Sequence, residues 1–172
     1  TFYGWGRKYS GQKAVEWAKF FGTSYVLLED GFIRSLGLGV EGSPSFSIVE
    51  DNVGIYYDAT APSRLEHLLN TYDFEHDLEL MQTAKDAIEL IKKHHISKYN
   101  HAPDIDEAYF PNDGKKHILI VAQTLGDMSL KYGMAEQFST DELIQAAYEE
   151  NKDAHIYLKV HPDVLTGKKY SD

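Results

Sequence analysis

The chain has 172 residues, enough for one ordinary domain or two smaller half-domains, and 42% of them are hydrophobic, so a core can form. Its formal net charge of −10 argues against a nucleic-acid-binding protein, because such proteins present lysine and arginine to phosphates. With no cysteine, the sequence excludes disulfides and thiolate metal sites, and no apolar stretch approaches the roughly 20 residues that span a bilayer.

The first elements along the chain are a predicted helix and a predicted buried strand. Apolar residues recur at helical spacing over Gly11–Phe21, and Gly22 suits the end of a helix. The run Tyr25–Leu28 is typical of a buried strand. Glu29 and Asp30 follow it directly, so the acidic pair is expected at the C-terminal end of that strand.

Two short strands and a helix are predicted next. The segments Phe46–Val49 and Ile55–Tyr57 are strand-like and are joined by turn residues in "EDNVG". Ser63, with Glu66 three residues later, forms a capping-box pattern that starts a helix over residues 63–70.

A long helix and then a linker are predicted in the middle of the chain. Apolar residues at three- and four-residue steps predict a helix from Glu75 to about Lys98. The stretch "NHAPDIDEAYFPNDGKK" that follows holds two prolines and a glycine and has neither helical nor strand periodicity. The predicted domains are therefore residues 1–101 and 117–172, joined by a linker over residues 102–116.

A β–α–β pattern follows the linker. His117–Gln123 and His155–Val160 are typical of fully buried strands. Between them, Ser139 and Glu142 form a second capping-box pattern, which opens a helix to about Asn151. This order predicts two parallel strands with a right-handed crossover.

Polar side chains follow three of the predicted strands. They are Glu29–Asp30, the stretch from Gln123 to Ser129, and His161–Pro162–Asp163. Ligands of open α/β sheets bind outside the carboxyl ends of the strands, where helix N-termini attract anions. The sequence therefore predicts a site for a phosphate-bearing ligand, with Lys159 and the pair Lys168–Lys169 as nearby cations.

Each polar cluster also has a purely local interpretation. Asp30 and Gly31 are typical of a turn, and Asp127 is typical of a helix or turn cap. His161 and Pro162 are typical of a strand terminator, since proline cannot continue a ladder. These alternatives stay open at the level of the sequence.

Two other patterns are set aside. The stretch "GLGVEG", Gly37–Gly42, matches the dinucleotide fingerprint, but "SPS" follows it instead of a helix. His94, His95 and His101 lack the three- or four-residue spacing of a ligand pair on a helix, so a solvated helix face is expected there.

Six stretches, taken together and in order, resemble the bacterial capsule polysaccharide β-Kdo transferases of the KpsC/LipB type. They are "GWGRKYSGQKA", "LLEDGFIRSLGLG", "GIYYDATAPSRLEHLL", "SKYNHAP", "QTLGDMSLKYG" and "LKVHPDVLTGKK". The resemblance covers nearly the whole chain, and the "QTLGDMS" form is similar to the first, N-terminal, transferase module of these proteins.

This resemblance implies an α/β fold of the GT-B type, with two Rossmann-like halves around a cleft. It implies transfer of β-Kdo from CMP-β-Kdo, with retention, to a Kdo linker on a lyso-phospholipid. The expected setting is the cytoplasm, at the cytoplasmic face of the inner membrane beside capsule assembly proteins. A family module continues beyond Asp172 and has a strand before Thr1, so both halves are expected to be incomplete.

The resemblance also implies roles for the acidic residues. Retention normally requires two inversions, and the first needs a carboxylate nucleophile. Chemistry alone does not choose between Asp127 and Asp30, whereas the family pattern implies Asp127. One of Glu29 and Asp30 is expected to activate the acceptor hydroxyl while the other supports the turn, and the sequence does not decide which.

The remaining candidate residues are expected to bind substrate. His161, in the His161–Pro162 motif, resembles a histidine that contacts the phosphate of CMP-sugars, and Lys159 either assists it or is structural. Arg34 binds a carboxylate of the sugar or holds its own loop through a salt bridge. Sugar hydroxyls are expected to contact three further side chains, those of Gln123, Thr124 and Ser129.

No metal or other cofactor is expected, because a GT-B enzyme can support the leaving nucleotide with side chains. Two alternatives to a β-Kdo transferase remain open. One is a non-catalytic CMP-sugar-binding fragment, and the other is a different CMP-sugar transferase of the sialyltransferase type.

Overall fold

The chain folds into two units, each built on its own small sheet. The computed structural model describes residues 1–35, 37, 42–97, 103–165 and 167. The units are Thr1–Ala102, with a three-stranded sheet, and Pro103–Asp172, with a two-stranded sheet. Helices accompany both sheets, which confirms the predicted α/β class.

The first unit has a mixed sheet in the order β1-β2-β3. Strand β1 (Phe2–Trp5) leads into helix α1 (Tyr9–Phe21), which returns the chain to β2 (Tyr25–Asp30). β1 and β2 are parallel, and β3 (Ile48–Asp51) pairs with β2 in the antiparallel sense. The sequence predicted α1 and most of β2 but not β1.

Close packing of α1 on this sheet depends on two glycines. A Cβ atom on Gly4 would lie 2.5 Å from the Cα of Gly11, so any larger residue would push the helix from the strand. Ala14, Ala18 and Leu27 are almost fully buried at this contact. The apolar face of α1 thus packs against both strands of the parallel pair.

Two strand predictions in the first unit are wrong in their bounds or existence. β2 continues through Glu29 and Asp30 because both pair with β3, so the strand is longer than predicted, while the acidic pair lies at its C-terminal end as predicted. The predicted strand Ile55–Tyr57 is a turn. Asp51 Oδ1 accepts hydrogen bonds from the amides of Val53 and Gly54 at 2.8 Å each, which turns the chain there.

The hairpin predicted from Phe46–Val49 therefore does not form. β3 spans Ile48–Asp51 instead and uses β2 as its partner. The apolar character of Ile55 reflects burial, because this side chain is fully buried in the core of the unit.

Two helices complete the first unit. α2 (Arg64–Thr71) begins after Ser63, whose Oγ accepts a hydrogen bond from the Glu66 amide at 3.1 Å, as the capping pattern predicts. α3 spans Leu78–Lys93 and is shorter than the predicted helix at both ends. It starts at an Asp77 cap and ends before His95, whose φ of 50° leaves the helical region.

The second unit is a βαβ arrangement. β4 (His117–Val121) and β5 (His155–Lys159) are parallel, and α5 (Thr140–Glu150) lies between them in the chain, which confirms the predicted order. The capping box of Ser139 and Glu142 is present in full. Two short helices, α4 (Met128–Tyr132) and α6 (Pro162–Leu165), follow the carboxyl ends of the two strands.

The strands of the second unit are shorter and more exposed than predicted. On one face, Ile120 is buried and α5 packs against β4, whereas Leu119 is 60% exposed and Val121 51% exposed on the other. A run of consecutive apolar residues predicts that both faces of the sheet are buried. In the described part of this unit, however, a helix covers only one face.

The stretch predicted as a linker packs against the second unit. It contains a 3-10 helix, Glu107–Tyr109, and the Phe110 and Tyr157 rings lie 5.0 Å apart between centroids. The division between units falls between Ala102 and Pro103.

Several predictions fall on residues outside the described ranges. They concern His101, the pair Lys168–Lys169 and most of the Gly37–Gly42 stretch. Within the described helices, none is long and apolar enough to cross a membrane.

Candidate functional site

Glu29 lies near the end of β2 and is held by residues from two other segments. The Trp5 indole donates a hydrogen bond from Nε1 to Glu29 Oε1 at 2.9 Å, across the parallel β1–β2 pair. The Tyr57 hydroxyl forms a further hydrogen bond with Glu29. The Asp30 amide also donates to Oε1, at 3.2 Å, so three neutral donors orient the carboxylate, which is only partly buried.

The Tyr57 hydroxyl links this carboxylate to the loop after β1. It accepts a hydrogen bond from the Arg7 amide at 2.8 Å. Burial, with an added contribution from the Glu29 charge, raises the pKa of Tyr57 to about 12, so the phenol stays a donor toward Glu29. Gly6, at φ 41°, permits this approach, because a Cβ there would lie 2.6 Å from Glu29 Oε2.

A buried ion pair supports the same loop. Arg7 Nε donates to Asp58 Oδ2 at 2.6 Å, and the Asp58 side chain is 1% exposed. Thr60 donates to Asp58 Oδ1 from both its amide and its hydroxyl. The loop after β1 is thereby tied to the turn that carries Tyr57.

Asp30 has different surroundings from Glu29. Its Oδ1 accepts a hydrogen bond from Arg34 Nε at 2.8 Å, and Arg34 Nη1 donates to the Ser43 carbonyl at 2.9 Å. Arg34 therefore forms the salt bridge that holds its own loop, which was one of the two interpretations of this residue. In the described residues, Asp30 is engaged by a cation and Glu29 by neutral donors.

Asp127 lies in the second unit, at the first turn after β4. Its Oδ1 accepts a hydrogen bond from the Ser129 amide at 2.9 Å, so it caps α4 as the local interpretation predicts. Gly126, at φ 76°, makes the preceding turn. The side chain is exposed, and within the described residues no hydrogen bond occupies Oδ2.

The other candidates in this loop differ in exposure. Gln123 is exposed and Ser129 partly so, whereas Thr124 is 3% exposed. The Thr124 carbonyl accepts a hydrogen bond from the Asp127 amide at 3.2 Å. Thr124 thus shapes the loop that presents Asp127, and its buried side chain does not face solvent.

His161 follows β5 and caps the short helix α6. Its Nδ1 accepts a hydrogen bond from the Asp163 amide at 3.1 Å, so the neutral ring carries its proton on Nε2. Asp163 is itself buried, and its Oδ2 lies 4.0 Å from Nδ1. Lys159 is an exposed residue at the end of β5, and Pro162 is the first residue of α6.

The structure thus brings the predicted residues together in two groups, one in each unit. Glu29, Asp30 and Arg34 share the end of β2. In the second unit, the stretch from Gln123 to Ser129 follows β4, and Lys159 ends the parallel neighbour β5, with His161 and Pro162 just after it. The sequence did not identify Trp5 or Tyr57 as functional. Both residues lie in stretches that carry the family resemblance, "GWGR" and "GIYYDAT", but nothing in those stretches singles out the two side chains.

Known proteins match this chain along almost its full length. The profile of a family described as "Capsule polysaccharide biosynthesis protein" matches residues 2–172. The Neisseria meningitidis protein "Capsule polysaccharide modification protein LipA", from serogroup A, is 46% identical over 168 residues, which are 96% of this chain and 24% of the relative. The chain therefore spans about a quarter of the length of this curated relative.

Two solved structures from Thermosulfurimonas dismutans are similar in fold. The first, "KpsC, beta Kdo 2,4 transferase", superposes with a TM-score of 0.88 and is 45% identical, over 98% of this chain and 52% of that one. The second, "KpsC, beta Kdo 2,7 transferase", has a TM-score of 0.62 and 33% identity, over 94% of this chain and 47% of that one. Both are glycosyltransferase structures, and the match to them bears out the expected partial GT-B-like fold.

Proposed function

Because the chain belongs to the capsule polysaccharide biosynthesis protein family, we propose that it forms part of a retaining β-Kdo transferase that uses CMP-β-Kdo. The observation that carries the proposal is the similarity to the β-Kdo 2,4 transferase structure, at 45% identity over 98% of this chain. The lower similarity to the 2,7 transferase favours a 2,4 linkage for the product. The acceptor in this proposal is a Kdo linker on a lyso-phospholipid, at the cytoplasmic face of the inner membrane.

Asp127 acts as the nucleophile in this proposal. Its Oδ2 attacks the anomeric carbon of Kdo while Oδ1 stays bonded to the Ser129 amide at 2.9 Å. The bond from that carbon to the CMP phosphate breaks, and the electron pair leaves with CMP. The product of this step is a Kdo ester of Asp127.

His161 supports the leaving CMP. Because Nδ1 accepts from the Asp163 amide, the Nε2–H group is the donor that the ring offers to a phosphate oxygen. This role requires no protonation of the ring. No metal is needed in the proposed step, since the side chain supplies the hydrogen bond to the departing phosphate.

Glu29 serves as the general base of the second step. The acceptor hydroxyl attacks the anomeric carbon, its proton passes to Glu29, and the ester bond returns its electrons to the Asp127 carboxylate. Glu29 suits this role better than Asp30, because Asp30 already forms a salt bridge with Arg34. The same guanidinium donates to the Ser43 carbonyl and so ties Asp30 to its loop. The second inversion restores the β configuration.

Intact-protein mass spectrometry tests the proposal. The longest expressible form of the protein is incubated with CMP-Kdo and no acceptor, and a Kdo-sized adduct is expected in the wild type but not in Asp127→Asn. Asp141→Asn is the matched control, because Asp141 is another exposed carboxylate in the first turn of a helix of the same unit.

Three other outcomes would contradict part of this proposal. A normal adduct on Asp127→Asn contradicts the nucleophile assignment. Binding of CMP without adduct or transfer favours a non-catalytic CMP-sugar-binding protein, and preferential use of CMP-sialic acid favours a sialyltransferase-type enzyme.

A further inference from the structure

A cluster of three side chains at the start of the second unit's sheet lies outside the site described above. Asp113, His117 and His155 each offer one metal-ligand atom, and these atoms all lie within 4.8 Å of one another. Strand pairing creates the cluster, because His117 and His155 are the first residues of β4 and β5 and are register partners.

Two of the three side chains are already close to a ligating arrangement. His155 Nε2 and Asp113 Oδ2 are 2.9 Å apart. Ligand atoms around a four-coordinate Zn²⁺ ion, with bonds of about 2.0–2.1 Å, stand roughly 3.3 Å from each other. The pair therefore needs almost no movement to share an ion in place of a proton.

The Asp113 carboxylate is held in position and is charged. The Lys115 amide donates to its Oδ1 at 3.1 Å, which leaves Oδ2 directed at His155. Oδ2 is therefore the Asp113 oxygen placed to share an ion with His155 Nε2.

His117 completes the set from the neighbouring strand. Its ring centroid is 5.3 Å from that of His155, and its Nε2 is 3.0 Å from the Pro111 carbonyl. It is an exposed side chain, so a rotation can turn it toward the other two ligands. The Tyr157 ring stacks on it at 5.6 Å and limits how far it swings.

We propose that Asp113, His117 and His155 form a binding site for a first-row divalent transition ion, with Zn²⁺ as the best fit. Two imidazoles and one carboxylate are a common three-residue zinc set, with solvent in the fourth position. Mg²⁺ and Ca²⁺ are poor occupants, because they prefer oxygen ligands alone.

The site is separate from the proposed transfer chemistry. The two histidines begin parallel strands of five residues, and the loops of Asp127 and His161 follow the opposite ends, about 13 Å further along the sheet. An ion there would join three segments that are up to 42 residues apart in sequence. Its expected effect is to stabilise the second unit, whether or not the protein transfers Kdo.

Calorimetric titration of the tag-free, chelator-treated 172-residue chain with Zn²⁺ tests this site. One ion per chain is expected for the wild type, together with a rise in the thermal midpoint. Asp113→Asn, His117→Gln and His155→Gln are each expected to weaken binding by more than about tenfold. Circular dichroism checks that each variant is folded.

The chain offers a matched control in His76. Its ring forms a comparable pair with Asp73 at 2.8 Å, but no third ligand joins this pair within the described residues. His76→Gln is therefore expected to bind Zn²⁺ as the wild type does. The proposal is overturned if the wild type shows no saturable binding, or if all three site variants bind as tightly as the control.

Discussion

The Trp5 indole donates its N–H to the Glu29 carboxylate at 2.9 Å, which joins the ends of the two parallel strands β1 and β2. Glu29 also bonds to Tyr57, while the adjacent Asp30 forms a salt bridge with Arg34. Two neighbouring carboxylates thus have different environments, because successive residues of a strand point to opposite faces.

Replacing Trp5 by phenylalanine is expected to reduce both stability and transfer. An aromatic ring remains at position 5, but the charged Glu29 carboxylate loses the hydrogen bond that the indole donates. This loss is expected to lower the free energy of unfolding by about 1–2 kcal/mol. Urea unfolding followed by circular dichroism measures the loss. Trp17→Phe is the matched control, since Trp17 is 52% exposed on α1 and is expected to change stability by less than about 0.5 kcal/mol. Equal effects of the two substitutions would contradict this account.

Glu29→Gln and Asp30→Asn are expected to differ in the step that they block. Loss of the general base slows transfer to the acceptor by about 10²–10⁴-fold but leaves the first step intact, so the Kdo adduct accumulates in Glu29→Gln. Asp30→Asn breaks the bond to Arg34 and is expected mainly to loosen the loop. Product formation and adduct mass are measured together. Accumulation of adduct in Asp30→Asn instead would exchange the two roles.

Two substitutions of Asp127 can separate its cap from its proposed chemistry. Asparagine caps a helix about as well as aspartate, whereas alanine costs about 0.5–1 kcal/mol in a short exposed helix such as α4. We expect Asp127→Asn to keep wild-type stability but form no Kdo adduct. Asp127→Ala is expected to be less stable than the wild type and also to form no adduct. Thermal unfolding and mass spectrometry give the two readouts. Adduct formation by the folded Asp127→Asn variant would leave Asp127 with the cap alone.

The two nitrogens of His161 can be separated in a similar way. The side-chain oxygen of asparagine can replace Nδ1 as the acceptor of the Asp163 amide, but asparagine has no group at the position of Nε2. Glutamine reaches the Nε2 position with its amide and does not keep the cap. We therefore expect CMP affinity to fall by about tenfold or more in His161→Asn and by less in His161→Gln. Calorimetry with CMP measures both, and the reverse order would contradict the Nε2–H assignment.

The buried Asp58 predicts a component of stability that depends on pH. Burial raises the pKa of its carboxyl, but hydrogen bonds from Thr60 and the charge of Arg7 outweigh this effect and lower it below the ordinary 3.8. A group with a depressed pKa in the folded state stabilises the protein above its unfolded pKa and loses this effect as the pH falls through its folded pKa. We expect Asp58→Asn to be less stable than the wild type by about 2–4 kcal/mol at neutral pH.

This difference in stability is expected to narrow below about pH 4, where Asp58 of the unfolded chain begins to take up a proton, and to be lost as the pH falls through the lowered pKa of the folded state. Urea unfolding at a series of pH values measures it. Other carboxylates with lowered pKa values are present in both proteins and cancel in the comparison. Asp86→Asn is the control, since Asp86 is exposed on α3 and its substitution is expected to cost almost nothing at any pH. A gap that stays constant with pH would show that the Asp58 charge is not the cause.

Local signals in the sequence predicted much of the fold. Ser63 and Ser139 cap α2 and α5 where the capping patterns place them, because a cap involves only residues three positions apart. The parallel pairing of β4 and β5 also followed from the order of elements. The family resemblance rested on six motifs, and the comparisons confirm it.

Predictions failed where a distant segment decided the outcome. β2 includes Glu29 and Asp30 because β3 provides their pairing partners. Ile55 is apolar because it is buried in the core of the first unit, although it does not lie in a strand. Periodicity within a short window carries no information about either contact.

The sequence by itself determined the α/β class, the starts of α2 and α5, and the family, and from that family it predicted Asp127, Glu29 or Asp30, and His161 as site residues. Only the tertiary structure decided that Glu29 lies with Trp5 and Tyr57 while Asp30 pairs with Arg34. It also decided that Asp113, His117 and His155 converge, although the first and last are 42 residues apart. The physical reason is that caps and periodicity act over one or two turns of chain, whereas hydrogen bonds and metal ligands require atoms that only strand pairing brings within a few ångströms.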